Sequence, residues 1–93
     1  MAKATWNGTA LAESDSPEIV EGNHYVPPGS VKREYLQETE YHSTCHWKGL
    51  ASYYDIVVGD KVNKDAAWYY PQPNEGATHL KDHVAFPKGV EVE

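Results

Sequence analysis

The segment that most constrains the fold is LASYYDIVV, residues 50–58, because its side chains alternate with the period of a β-strand. One face would carry Leu50, Ser52, Tyr54, Ile56 and Val58, and the other Ala51, Tyr53, Asp55 and Val57. Neighbouring residues of a strand point to opposite faces, so Tyr53 and Tyr54 place one ring on each. One of these faces must belong to a core, and the other presents aromatic rings to a groove, a ligand or a second chain.

A hairpin is predicted near the amino terminus, where KATWNGTALAES contains the dipeptide Asn7-Gly8. Both residues accept positive φ, which a two-residue hairpin turn requires. We expect Trp6 to lie opposite Thr9, and Ala4 opposite Leu11.

A second tight turn is predicted at Gly59-Asp60, leading from the 50–58 strand into a return strand. The polar triplet of residues 63–65 predicts a break or bulge in that return strand. Further strands are expected in EIVEG, in AAWYYP before two prolines, and in VAF, with VEVE as a solvated or edge tail.

Two short helices are also predicted. SVKREYLQE, residues 30–38, offers Ser30 as N-cap and an i,i+4 pair of Val31 and Tyr35. NEGATHLKDH, residues 74–83, predicts one or two turns with Asn74 as the cap. The expected fold class is therefore mostly antiparallel β, either a small barrel or two sheets, with two short helices.

Size and composition predict one domain over residues 1–93. A chain this short has a thin core, and its 3 Trp and 7 Tyr predict that rings supply much of it. The formal net charge of -6 argues against general nucleic-acid binding. No segment approaches the roughly 20 apolar residues of a membrane span, so no membrane partner is expected.

The location follows from two further features of the sequence. The single cysteine cannot form an internal disulfide, which fits a reducing cytoplasm. The start of the chain, MAKATWNGTA, lacks the apolar run of a signal peptide. We therefore expect a cytoplasmic protein.

The densest cluster of reactive residue types is HSTCHWKG, which contains Cys45 between two histidines. Zinc ligands could come from this cluster together with the His-x3-His spacing of His79 and His83. Structural zinc sites usually contain at least two cysteines, so we expect no metal and no cofactor. Cys45 is either a buried apolar residue or a nucleophile that needs a positioned base.

An anionic group could be bound by Lys32 and Arg33 or by Lys48. The segment around Lys48 is not a phosphate loop, because such a loop has its glycines before the lysine, whereas Gly49 follows Lys48. The aromatic pairs in residues 53–54 and 68–70 predict either a ligand surface or cross-strand packing, and the sequence leaves both open.

Several segments together resemble the domain of unknown function 427 family of small, mainly bacterial proteins. The likeness covers nearly the whole chain, through WNGTALAES, VEGNHYVPPGSVKREYL, CHWKGLASYYDIVV, VNKDAAWYYPQP and HVAFPKGVEVE. The family typically carries Cys-Pro-x-Lys-Gly-x-Ala-x-Tyr-Tyr. Cys45, Lys48, Gly49, Ala51, Tyr53 and Tyr54 match this pattern, whereas His46 stands where proline is frequent. The resemblance implies a β-tent-like domain, and the family is sometimes labelled nucleotidyltransferase-like.

The resulting functional hypothesis is a pocket that binds a small anionic or aromatic ligand. The expected ligand-binding residues are Tyr25, Arg33, Lys48, Tyr53 and Tyr54, with Cys45 as a floor residue or nucleophile. One alternative is a cysteine-assisted or nucleotidyltransferase-like enzyme, which needs a low-pKa Cys45 or Mg²⁺ at Asp55, Asp60 or Asp65. The other alternative is a homodimer that pairs exposed aromatic residues.

Overall fold

The computed structural model describes residues 2–15, 17–20, 22–86 and 89–92. The strands within these ranges are β1 (Ala2–Trp6), β2 (Thr9–Ser14), β3 (Glu18–Val20), β4 (Asn23–Val26), β5 (Leu36–Cys45), β6 (Gly49–Val58), β7 (Lys61–Tyr69), β8 (Val84–Ala85) and β9 (Glu91–Val92). They form a three-stranded sheet in the order β2-β1-β9 and a six-stranded sheet in the order β3-β4-β8-β7-β6-β5. All of these strand pairs are antiparallel, which confirms the two-sheet prediction. The described strands do not close into a barrel.

The first hairpin forms where the turn chemistry predicts it. Asn7 and Gly8 have φ values of 50° and 75°, and Trp6 lies opposite Thr9. The expected pairing of Ala4 with Leu11 is wrong, because a register shift after Ala4 places it opposite Ala12. The extra residue is a β-bulge, which a turn dipeptide does not reveal.

The second hairpin joins β6 to β7 through Gly59-Asp60, and Val58 pairs with Lys61 as the turn predicts. The predicted bulge is also confirmed, since the register of this pair shifts between Tyr54 and Ile56. Asp65 adopts a φ of 47° there, and its amide donates to Asp55 Oδ1 at 2.8 Å.

Neither of the two predicted helices forms as an α-helix. The described residues contain only single 3₁₀ turns, at Pro28–Ser30, Arg33–Tyr35 and Thr78–Leu80. None of these turns has a side-chain cap. From Leu36 onward the chain pairs with β6 instead, because a short uncapped helix is marginal and sheet pairing satisfies the same backbone groups.

The main core lies where the two sheets contact each other. Ala4, Leu11 and Ala12 of the small sheet pack in one cluster with residues such as Ile56 and Val84 of the large sheet. We call this side of the large sheet the inner face. A second buried cluster, on the opposite side of the same strands, consists of Tyr25, Ala51, Tyr70, Ala77, Leu80 and Ala85.

The alternation predicted for residues 50–58 explains this arrangement. Tyr54 and Ile56 pack in the main core on the inner face, whereas Ala51 and Tyr53 pack in the second cluster on the opposite side of the sheet. Ile56 is completely buried.

No helix in the described part of the chain is long and apolar enough to span a membrane.

Candidate functional site

The side of the large sheet opposite the core carries a continuous set of rings, and we call it the aromatic face. Tyr53 pairs with Trp68, Trp68 with Ala85, and Ala85 with Tyr25, so four strands contribute to one line across the sheet. The small side chain of Ala85 leaves room above it. The Trp68 Nε1–H therefore reaches across and donates to the Tyr25 hydroxyl oxygen at 3.2 Å.

Lys48 completes this arrangement from the turn between β5 and β6. Its Nζ donates to the same Tyr25 hydroxyl oxygen at 3.1 Å. Tyr25 is completely buried, and Lys48 is only 5% exposed. One phenol oxygen thus accepts two hydrogen bonds inside the protein, one of them from a cation.

The ammonium group of Lys48 lies among three rings. Its Nζ is 5.6 Å from the ring centroid of Tyr25, 5.5 Å from that of Trp47 and 5.4 Å from that of Tyr70. Aromatic faces are electron-rich and attract a cation more strongly when both are removed from water. Burial of a lysine is costly, so a lysine held in this way is frequently associated with function.

Two further groups adjoin the lysine. Burial raises the pKa of Tyr70 to about 12, and the neighbouring Tyr25 adds to the rise while Lys48 opposes it. Cys45 is half-buried, packs against the same cluster and contributes a smaller upward effect to the Tyr70 pKa. Cys45 and Lys48 therefore approach one phenol from opposite ends of the β5–β6 turn.

Chain segment 71–80 covers one end of the aromatic face. Ala77 and Leu80 are completely buried against it. The Asn74 amide donates to the Lys48 carbonyl oxygen at 2.9 Å, which ties this segment to the β5–β6 turn. Gly49 has a φ of 110°, and a Cβ there would lie 3.3 Å from the Asn74 amide nitrogen, so glycine permits this close approach.

The other end of the aromatic face is open. Tyr41 is 51% exposed, and its ring centroid is 4.8 Å from that of Tyr53. The Tyr53 ring is in turn 6.5 Å from Trp68, and Trp47 is 43% exposed. Accessible rings thus lead toward the buried ammonium group of Lys48.

The structure brings together only part of the predicted site. Tyr25, Cys45, Lys48 and Tyr53 share the aromatic face, as their contacts with the second buried cluster and with Lys48 show. Tyr54 belongs to the inner cluster on the other side of the sheet.

Arg33 accompanies Tyr54, and its Nη1 donates to the Tyr54 hydroxyl at 3.4 Å. Six residues expected to line one pocket therefore divide between two faces. Trp68 and Tyr70, which the sequence indicated only as aromatic pairs, join the Lys48 group because they alternate with Tyr69 along the chain.

A polar group on the inner side was not recognised from the sequence. Ser52 lies between His42 on β5 and Tyr69 on β7, because both residues pair with it across the sheet. The distance between Ser52 Oγ and His42 Nδ1 is 3.2 Å. His42 also lies beside the Ala51 carbonyl oxygen, at 3.3 Å. Only the register of β6 with β5 and β7 brings these residues together, so no local sequence motif predicts the group.

The remaining predicted groups lie apart. His83 Nδ1 lies 3.0 Å from the Lys81 carbonyl oxygen. Among the described residues, no group of three or more His, Cys, Asp or Glu side chains is placed to hold a metal ion. Asp55 accepts the Asp65 amide at the bulge, and Asp60 lies in the hairpin turn.

Comparison with known families gives one match. A family model described as "Domain of unknown function (DUF427)", with the short label NTP_transf_9, matches residues 1–93. No curated protein matches the chain.

Proposed function

The chain belongs to the DUF427 family, and we propose that it is a small-molecule binding domain whose site is the open end of the aromatic face. The proposed ligand is planar and carries an acidic group. Its ring would stack on Tyr41 and Tyr53, and its acidic group would be oriented by Lys48.

The observation that carries the proposal is the position of Lys48 at the end of a line of rings. Its ammonium group is held by the Tyr25 hydroxyl and by three aromatic faces, which fixes its position before any ligand arrives. A preorganised charge loses little entropy on binding. Exposed rings such as Tyr41 and Trp47 offer stacking surface for the ring of a ligand.

Cys45 enters this proposal as a floor residue. Its side chain packs against the buried cluster beneath the rings, and it is half-buried. A floor thiol would contact the ligand without reacting with it. Replacement of Cys45 by serine should then leave ligand affinity within about threefold.

The test uses pairs of ligands that differ only in charge, namely small aromatic carboxylic acids and the corresponding amides. A Trp6→Phe background leaves Trp47 and Trp68 as fluorescent reporters of the aromatic face. Thermal-shift screening identifies a binding pair, and fluorescence titration then gives both affinities.

Lys48→Met should weaken binding of the acid about tenfold or more and leave binding of the amide nearly unchanged. Arg33→Ala is the matched control, because it also removes one positive charge but lies on the other side of the sheet. Circular dichroism and urea unfolding of each variant separate lost affinity from lost folding. Equal weakening of acid and amide in Lys48→Met, or equal weakening of the acid in both variants, would contradict the proposal.

A homodimer is the second candidate, and a specific observation favours it. β5 is an edge strand of ten residues, with Tyr41 exposed near its centre. Glu40 precedes this tyrosine and His42 follows it, so an antiparallel copy centred on Tyr41 would set Glu40 of each chain opposite His42 of the other. Light scattering after size exclusion decides this point, since a monomer at high concentration excludes the dimer.

The transferase alternative rests on the family's short label and on Cys45 or the three aspartates. Asp55 is already engaged by the Asp65 amide, which fixes that carboxylate at the bulge. Stabilisation by a nucleotide that requires Mg²⁺ would favour this alternative over the binding domain. A location in a bacterial cytoplasm stays a prediction from the single cysteine and from the family.

A further inference from the structure

A second group of polar side chains, on the inner side of the large sheet, has a composition suited to a different ligand. We call it the polar row: Arg33, Tyr54, Tyr69, Ser52 and His42. Tyr54 and Tyr69 stack with ring centroids 4.6 Å apart and an interplanar angle of 18°, which places both phenols side by side. Arg33 lies at one end of the row and His42 at the other.

Arg33 is weakly engaged for a guanidinium group. It is exposed, and its contact within hydrogen-bonding distance is the neutral hydroxyl of Tyr54, at the long distance of 3.4 Å. Within the described ranges, no carboxylate oxygen lies within 4.0 Å of the Arg33 guanidinium group. The ion pair found at this distance joins Lys3 and Glu13. Guanidinium groups bind oxyanions more strongly than neutral hydroxyls, because charge assistance and a two-pronged geometry both favour them.

The stacked Tyr69 phenol adds a second hydroxyl beside that of Tyr54. Burial raises the pKa of Tyr69, and nearby Tyr54 and Glu38 raise it further, so its phenol keeps its proton. Tyr69 is partly exposed, whereas Ser52 and Tyr54 lie deeper, at 8% and 5% exposure. A ligand that reaches Arg33 would therefore meet phenol donors directly behind it.

We propose that the polar row binds the phosphate group of a phosphate monoester, with Arg33 as the charged contact and the Tyr54 and Tyr69 hydroxyls as additional donors. A tetrahedral dianion accepts hydrogen bonds from several directions, which suits donors that come from a turn and two strands. The Arg33 guanidinium replaces its weak bond to Tyr54 by a stronger one to phosphate. Tyr54 accepts the present bond from Arg33 through a lone pair, so its own O–H remains a donor that can turn to the same phosphate.

Glu38 opposes this binding and provides a sharp control. It lies opposite Tyr54 in the β5–β6 register, and its charge contributes to the raised pKa of Tyr69. A carboxylate this close repels an incoming phosphate, although its exposure lets solvent screen the repulsion. Glu38→Gln should therefore tighten phosphate binding, whereas a site unrelated to the row would not respond.

The experiment is a titration of ¹⁵N-labelled protein with inorganic phosphate and with phenyl phosphate, at ionic strength held constant with chloride. Resonances of Arg33, Tyr54 and Tyr69 should move, and both probes should move the same set. Arg33→Gln should weaken binding about tenfold or more. Lys32→Gln is the matched control, since this exposed neighbour removes the same charge and should change affinity by less than about twofold.

Further variants separate donation from packing. Tyr69→Phe keeps the stacked ring but removes a donor, and should weaken binding several-fold without loss of folding. Glu38→Gln should strengthen binding about two- to threefold. The proposal is overturned if phosphate moves no resonance of the row up to its solubility limit. It is also overturned if Arg33→Gln and Lys32→Gln weaken binding equally, which would indicate general surface charge.

Discussion

The two faces of the large sheet use the same strands and differ in what they do with polar groups. On the aromatic face, Lys48 and Trp68 converge on one buried phenol oxygen, and the charge lies inside the protein. On the inner face, apolar residues such as Ile56 fill the core, and the polar row adjoins this core through Tyr54, which belongs to the same buried cluster. Neighbours in sequence, such as Tyr53 and Tyr54, consequently belong to different sites.

This difference indicates how so small a chain accommodates two surfaces. The inner face supplies most of the stability because both sheets bury apolar residues there. The aromatic face is covered on one side only by residues 71–80, so part of it stays accessible. Paired variants, one on each face of the large sheet, test whether the two faces contribute differently to stability.

The largest expected effect is on the inner face. Ile56→Ala removes a completely buried side chain and should lower the free energy of unfolding by about 3 kcal/mol. Val57→Ala, on the next residue of the same strand, should cost only about 1 kcal/mol because that side chain is half-buried. Urea denaturation measures both. Equal losses would contradict the assignment of the core to the inner face.

The next effect isolates the shared phenol oxygen of the aromatic face. Tyr25→Phe deprives the Lys48 and Trp68 donors of this acceptor and should destabilise the fold by about 2 kcal/mol. The Trp68 indole N–H proton signal should shift upfield at the same time. Tyr53→Phe is the comparison, because its hydroxyl contacts the half-buried Ser43 at 2.8 Å, where water can substitute, and about 0.5 kcal/mol is expected. A Tyr25→Phe variant as stable as the wild type would show that the buried network contributes nothing.

A smaller effect concerns alkaline pH. The pKa of Tyr70 is about 12 in the fold against an ordinary value of 10.0, so the folded chain keeps this proton when the unfolded chain loses it. Stability from this group is complete below pH 10 and is lost as the pH rises toward 12. Unfolding free energies measured across this window should decline, and Tyr70→Phe should make the decline shallower. An unchanged decline in Tyr70→Phe would assign the effect to other groups.

Local chemistry predicted the hairpins well. Asn7-Gly8 and Gly59-Asp60 encode their turns within two residues, and the alternation of residues 50–58 fixes both faces of β6. The helix predicted for residues 30–38 does not form, because its i,i+4 pair stabilises a helix less than an alternative pairing stabilises a strand. That alternative is pairing of Leu36 with Ile56, twenty residues away, which no local signal encodes.

The candidate site shows the same limit. Alternation alone separates Tyr53 from Tyr54, so a strand over residues 50–58 excludes a single pocket lined by both rings. Two sets of contacts depend on pairings between distant strands. Lys48 contacts Tyr25 and Tyr70 in one set, and Ser52 lies between His42 and Tyr69 in the other. The burial of Lys48 could not be predicted from the sequence either, because a lysine followed by glycine normally indicates an exposed turn.

The most direct test of two separate sites uses protein labelled with 3-fluorotyrosine, whose seven fluorine signals are assigned by single Tyr→Phe variants. Titration with an aromatic carboxylate should move the signals of Tyr25, Tyr41, Tyr53 and Tyr70. Titration with phenyl phosphate should move those of Tyr54 and Tyr69. Two different sets of signals are the result that the account predicts. Movement of one common set by both ligands would contradict it.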